Sequence, residues 1–106
     1  SQIITKEQHV AWFERILSSN DVYFLIAEFN DSDPLGTLRF DITREKAEIS
    51  IYLTPHYIGK GYGLPLLEAG EQWLKINHSE INIVEARILG GNLRSQKLFK
   101  NAGYDV

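Results

Sequence analysis

Three glycines spaced two residues apart, Gly59, Gly61 and Gly63, are the part of this chain whose type and spacing most directly suggest chemistry. They lie between an alternating apolar run ending near Leu53 and an amphipathic run beginning near Leu66, where a strand should give way to a helix. Glycine reaches φ > 0 and lets a backbone come close, so successive N–H groups at such a turn can converge on an anion at the positive end of the helix. The spacing predicts a phosphate cradle. Lys60 adds a complementary cation to it, and His56, just upstream, reads either as a phosphate or ribose contact or as a plain loop residue. Two common phosphate motifs fail here: a Walker loop needs G-K-[ST], whereas Lys60 precedes Gly61, and a dinucleotide fingerprint needs G-x-G-x-x-G. On spacing alone, a glycine-rich turn with no ligand stays open.

Composition narrows the setting. The chain has 106 residues, enough for one domain, and carries 11 Lys plus Arg against 14 Asp plus Glu, a net charge of −3. That balance argues against a nucleic-acid partner but permits a local positive site. The absence of cysteine excludes a disulfide framework, a thiolate nucleophile and a thiolate metal site. His9 and His78 lack ligand spacing, so no metal is expected. No apolar run approaches the roughly 20 residues that span a bilayer, and no signal-peptide pattern is present. The expectation is a cytoplasmic protein with no membrane partner.

The elements that must position the glycines follow from periodicity. Thr5-Lys6-Glu7-Gln8 has the form of a capping box, and Val10, Phe13, Ile16 and Leu17 share a helical face, which predicts a helix over about residues 6–18 with Trp12 on its face or edge. Strands are predicted over 22–29, 35–41 and 46–54, joined by turns at 30–34 and 43–45, hence an antiparallel meander. In the third, Ala47, Ile49, Ile51 and Leu53 alternate with Glu48, Ser50, Tyr52 and Thr54. A helix over 63–76 buries Leu66, Leu67, Gly70, Trp73 and Leu74, and mid-helix Gly70 implies close packing on a strand. Residues 81–88 read as the second, parallel arm of a β-α-β unit. Asn92 is placed as N-cap of a helix to about Asn101, Gly103 as its C′ residue, and Tyr104-Asp105-Val106 as the start of another strand. The fold class is therefore α/β: a mixed sheet with an antiparallel meander, a β-α-β unit and a final helix in a single domain, 1–106.

Two stretches together resemble the GNAT superfamily of N-acetyltransferases. The family's pyrophosphate motif, [Arg/Gln]-x-x-G-x-[Gly/Ala], is matched by Ile58-Gly59-Lys60-Gly61-Tyr62-Gly63, with Ile58 in place of Arg or Gln and Leu53-Thr54-Pro55 where many members carry an aliphatic residue, Asp and Pro. The second match runs through Glu85-Ala86-Arg87 and from Asn92 to Tyr104, similar to E-V-R and N-x-x-[Ala/Ser]-x-x-L-Y-x-K-x-G-F, a signature of ribosomal-protein and sugar-amine members. Phe99 stands where those members usually place a tyrosine.

The resemblance implies acetyl-CoA as cosubstrate and direct attack by a primary amine on the acetyl thioester. It implies cofactor contacts at Ile51, Leu53, Ile58, Gly59, Lys60, Gly61, Tyr62, Gly63, Leu64, Asn92 and Phe99, and Glu85 as general base with Glu48 as the alternative. Either glutamate could instead be solvated or paired with a cation such as Arg87. Phenylalanine cannot protonate the departing thiolate, which leaves that task to water, Tyr104, Tyr52 or the substrate, or leaves it undone, since a thiol pKa near about 8.5 makes a tolerable leaving group. The first helix would stand for the family's second. The usual first strand and helix and most of the last hairpin would be missing, implying a minimal version, a trimmed domain or a chain that borrows strands. A homodimer or strand exchange through the open sheet edge follows as a possible assembly. The acceptor is a small-molecule or peptide amine, with a lean toward nucleotide-linked amino sugars; the alternative is a non-catalytic acyl-CoA-binding or assembly domain of a larger protein.

Overall fold

Asn20 and Asp21 both take positive φ, 48° and 64°, and this two-residue turn decides how the described chain begins. A computed structural model describes residues 12–29, 31–88 and 92–105. Positive φ at both central residues is the geometry of a type I′ hairpin turn, whose twist suits the flanking strands. Strand β1 (Trp12–Ser19) accordingly pairs antiparallel with β2 (Val22–Phe29), with Ser19 opposite Val22 and Trp12 opposite Phe29. The predicted helix is therefore wrong over residues 12–18. Phe13, Ile16 and Leu17 satisfy a helical period, but the run is as compatible with an edge strand once Asn-Asp supplies the turn; Leu17 stays half exposed there. The expected capping box, His9 and the rest of that helix lie outside the described residues.

The meander continues through β3 (Pro34–Thr43) and β4 (Lys46–Leu53), antiparallel throughout, so it has four strands instead of three. A short 3-10 turn (Pro55–Tyr57) leads through the glycines into α1 (Gly63–Asn77). Strand β5 (Ile83–Ala86) then pairs parallel with β4, and α2 (Leu93–Asn101) follows. The sheet order is β1-β2-β3-β4-β5, which makes β1 and β5 its edges. The β-α-β unit stands as predicted, although its second strand is shorter than expected.

Both helices lie on one face. Leu25, Leu38, Phe40, Ala47 and Ile49 from the sheet are fully buried with Leu66 and Leu67 of α1 and Phe99 of α2. Gly70 permits this approach, since a Cβ there would overlap Leu38 and Phe40 side chains. The other face carries the alternating Lys46, Glu48, Ser50 and Tyr52 of β4, and among the described residues no helix covers it.

Helix α2 ends in a Schellman arrangement: Tyr104 N–H donates to Phe99 C=O (2.9 Å) and Gly103 N–H to Lys100 C=O (3.0 Å), with Gly103 at φ 96°. Those bonds use the backbone that a strand would need, so Tyr104 and Asp105 form none; Val106 is outside the described residues. Among the described residues no helix is long and apolar enough to cross a membrane.

Candidate active site

The three glycines meet three different local demands. Gly59 and Gly61 have φ of 78° and 85°, and nothing lies within 4 Å of where a Cβ on Gly59 would be, so Gly59 is required by conformation and not by space. Gly63 is not left-handed; it is buried at the start of α1, where a Cβ would meet Leu98 of α2 at 3.1 Å. The N–H of Leu66 donates to Tyr62 C=O, closing the first turn. Among the described residues, the N–H groups of Gly59, Lys60, Gly61, Gly63 and Leu64 donate to no protein acceptor. Five donors at the positive end of a helix are thus left for an anion.

Lys60 is exposed beside them and forms no ion pair among the described residues. Ile58 is half-buried and extended at the end of the 3-10 turn. The Tyr62 side chain is only 7% exposed, and its ring packs on Phe29 and Tyr57. Leu64 is exposed on the first turn of α1. His56 is exposed, with its ring edge-on to Tyr57.

Next to the glycine turn the sheet opens. The β4–β5 ladder runs from Lys46 opposite Ile83 to Ile49 opposite Ala86, and its last bond is Arg87 N–H to Ile49 C=O at 2.6 Å. Backbone groups alternate sides along a strand, so Ile51 and Leu53 aim N–H and C=O toward the same edge as Ile49. There they find no partner among the described residues. A polar edge of two residues faces a gap that starts one residue past the last rung. An amide-bearing chain could be held in it by strand-like hydrogen bonds.

Helix α2 carries two more of the sequence-predicted residues. Asn92 is its N-cap, as predicted, accepting from Ser95 N–H at 3.1 Å through Oδ1. Phe99 is fully buried, with its ring 5.1 Å from that of Tyr104. Tyr104 donates its hydroxyl to Glu71 at 2.8 Å, and burial, then that bond, push its pKa far above the ordinary value. This hydroxyl ties the end of α2 to α1. Tyr52, 60% exposed on the helix-free face, keeps its hydroxyl accessible.

Glu48 and Glu85 stand side by side on that same face, paired in the parallel register. Glu85 takes a salt bridge from Lys46 at 2.8 Å, not from Arg87, which lies 3.7 Å from Glu48. Both carboxylates remain substantially exposed, at 52% and 38%. Three residues of strand, roughly 10 Å at about 3.3 Å each, separate Glu48 from Ile51. The carboxylates therefore stand on the helix-free side of the sheet, before the unpaired backbone groups of Ile51 and Leu53 along β4.

Sequence reasoning passed over Tyr57 and Asp33. The Tyr57 hydroxyl donates to Asp33 Oδ2, joining the start of the glycine loop to the β2–β3 turn. The available signal was Tyr57 and Tyr62 flanking the loop at either end.

A family model described as "Acetyltransferase (GNAT) domain" matches residues 1–105. The chain belongs to the GNAT family. Solved GNAT structures share its fold: spermidine/spermine N-acetyltransferase SpeG from Vibrio cholerae superposes with a TM-score of 0.78 at 12% identity, covering 92% of this chain and 79% of that one. A dodecameric form of the Vibrio cholerae spermidine N-acetyltransferase gives 0.71 at 17% identity, over 82% of this chain and 52% of that one. Aminoglycoside 6′-N-acetyltransferase from Acinetobacter baumannii gives 0.65 at 17% identity, over 84% and 66%. This GNAT chain thus spans about half the length of some structures it matches. Comparison by sequence with curated proteins finds no match.

Proposed function

We propose that this GNAT domain binds acetyl-CoA and transfers its acetyl group to a primary amine. The observation that carries the reading is the set of unpartnered N–H groups of Gly59, Lys60, Gly61, Gly63 and Leu64, set beside the gap into which Ile51 and Leu53 aim their backbone groups. The first would hold a diphosphate, with Lys60 adding charge; the second would pair with pantetheine amides. Asn92 and Phe99 would line the gap from α2. Acetyl-CoA supplies the activated acyl group, so the chain needs no nucleophile of its own, in keeping with its lack of cysteine.

On the helix-free face the acceptor nitrogen would approach the thioester carbonyl, and Glu85, or Glu48, would take its proton directly or through a water. Free N–H groups on β4 would serve the carbonyl oxygen as negative charge develops on it. The acceptor class is an aliphatic primary amine. The solved relatives named above acetylate spermidine, spermine or an aminoglycoside, and the sequence resemblance adds nucleotide-linked amino sugars. A homodimer, or exchange of strands through the β1 or β5 edge, is the assembly the open sheet supports.

The buried, hydroxyl-free Phe99 and the paired state of both glutamates favour one second reading, an acyl-CoA-binding domain without turnover. Calorimetric titration with acetyl-CoA, followed by a thiol-release assay over spermidine, an aminoglycoside and a nucleotide-linked amino sugar, separates them. Binding with amine-dependent thiol release supports the enzyme. Binding without release under every amine supports the second reading, and no binding removes both.

A further inference from the structure

The glycine loop is pinched at its base and free at its tip. Tyr57 and Tyr62, the residues on either side of Ile58-Gly59-Lys60-Gly61, bring their rings together at 5.5 Å and 85°, edge to face. Phe29, the last residue of β2, packs on both, 5.1 Å from Tyr57 and 5.6 Å from Tyr62. The Tyr57 hydroxyl then reaches Asp33, whose own N–H donates to Asp31 Oδ1 at 3.1 Å within the β2–β3 turn. That turn is braced in its own right, by Phe29 N–H to Asp33 C=O at 2.9 Å and Ser32 N–H to Phe29 C=O at 2.8 Å. Ile58 N–H also donates to Pro55 C=O at 3.2 Å; past it Gly59 and Lys60 are exposed, and their N–H groups donate to nothing among the described residues.

We propose that Tyr57 is a positioning residue for the anion cradle: its hydrogen bond to Asp33 and its contact with Tyr62 fix the loop base and so hold the free N–H groups in place. The inference rests on the acetyl-CoA reading only for the identity of the anion. Preorganisation of this kind matters because donors that must be ordered on binding give up part of their affinity to that ordering. Tyr57 never touches the transferred group, so its loss should weaken ligand capture while leaving the chemical step intact. The bond to Asp33 and then burial push the Tyr57 pKa up to about 12, so the hydroxyl remains a donor throughout the working range.

The test compares wild type with Tyr57→Phe, Asp33→Ala and the double variant. Each is titrated with acetyl-CoA and with acetyl-pantetheine, which lacks the diphosphate, and amide hydrogen exchange is followed without ligand. Losing a hydrogen bond to a charged acceptor should weaken acetyl-CoA binding about tenfold and leave acetyl-pantetheine binding unchanged. KM for acetyl-CoA should rise by the same factor with kcat unaltered. The double variant should lose no more than either single one, and exchange should speed up at Ile58 and Leu66, whose N–H groups are bonded to Pro55 and Tyr62 C=O at the two ends of the loop, but not in β2 to β4. Unchanged affinity and unchanged loop exchange in Tyr57→Phe would overturn the proposal, as would equal losses for both ligands. Should Tyr57→Phe fail to fold, Asp33→Ala in its exposed turn gives the same readings. If wild type takes up no acetyl-CoA, the functional reading fails alone, and the exchange data still decide the role of Tyr57.

Discussion

Glu48 and Glu85 lie directly opposite one another on β4 and β5, two carboxylates in one rung of the parallel ladder, each answered by a different cation. Like charges placed so would repel, and Lys46 at 2.8 Å from Glu85 and Arg87 at 3.7 Å from Glu48 offset that repulsion. Exposure keeps each pair weak. A passing ammonium could therefore displace Lys46 from Glu85 at small cost.

If Glu85 is the base, Glu85→Gln should lower kcat by about a hundredfold with acetyl-CoA affinity unchanged, and Glu48→Gln should cost less than about threefold. Lys46→Met separates base from ion pair. A loss in Lys46→Met equal to that in Glu85→Gln would show that the pair, and not proton removal, is what matters; steady-state kinetics of the three variants decides it.

Gly70 predicts a stability effect that runs against helix propensity. Alanine in an exposed helix interior would gain about 0.5–1 kcal/mol over glycine. Here its Cβ would overlap Leu38 and Phe40, both fully buried, and overpacking of this kind costs about 1–3 kcal/mol. Gly70→Ala should therefore lower the denaturant midpoint; a raised midpoint would show that α1 can lift off the sheet freely.

Tyr57 gives a pH dependence with a defined sign. Its pKa is raised to about 12 by the Asp33 bond first and by burial second, above the ordinary value of 10.0, so the fold favours the protonated hydroxyl. Its contribution to stability is fully present below pH about 10 and is lost as pH rises through about 12. The midpoint difference between wild type and Tyr57→Phe should be constant from pH 7 to about 10 and shrink above it. A difference that instead grows with pH would contradict the bond.

Phe99→Tyr places a hydroxyl where the ring is fully buried, with Tyr104 edge-on at 5.1 Å. An unpaired buried hydroxyl should destabilise by about 1–3 kcal/mol. Turnover should change less than about threefold if the departing thiolate, with a pKa near about 8.5, needs no acid. A tenfold gain in kcat would show that proton delivery limits this chain.

Much of the fold could be read from residues because each meander strand and its turn agree. Ala47, Ile49, Ile51 and Leu53 alternate cleanly, Gly70 has the strand contact its cost implied, and Asn92 and Gly103 begin and end α2 as their types suggest. The first element misled because Phe13, Ile16 and Leu17 serve two periods, and the pair Asn20-Asp21, which fixes the hairpin, reads equally well as a helix stop. The left-handed turn was visible in Gly59 and Gly61, but Gly63 is there for Leu98, a contact across 35 residues that no local pattern carries. Lys46 on Glu85 and Asp33 on Tyr57 are hidden for the same reason: both partners are set by strand register and loop path.

If the free N–H groups of Gly59, Lys60, Gly61, Gly63 and Leu64 grip a diphosphate, amide NMR during titration with CoA reads it residue by residue. The largest shifts should fall at Gly59, Lys60, Gly61, Gly63 and Leu64 and be lost on Gly61→Val. Saturating CoA that leaves those five signals in place, or that moves only residues elsewhere, would contradict it.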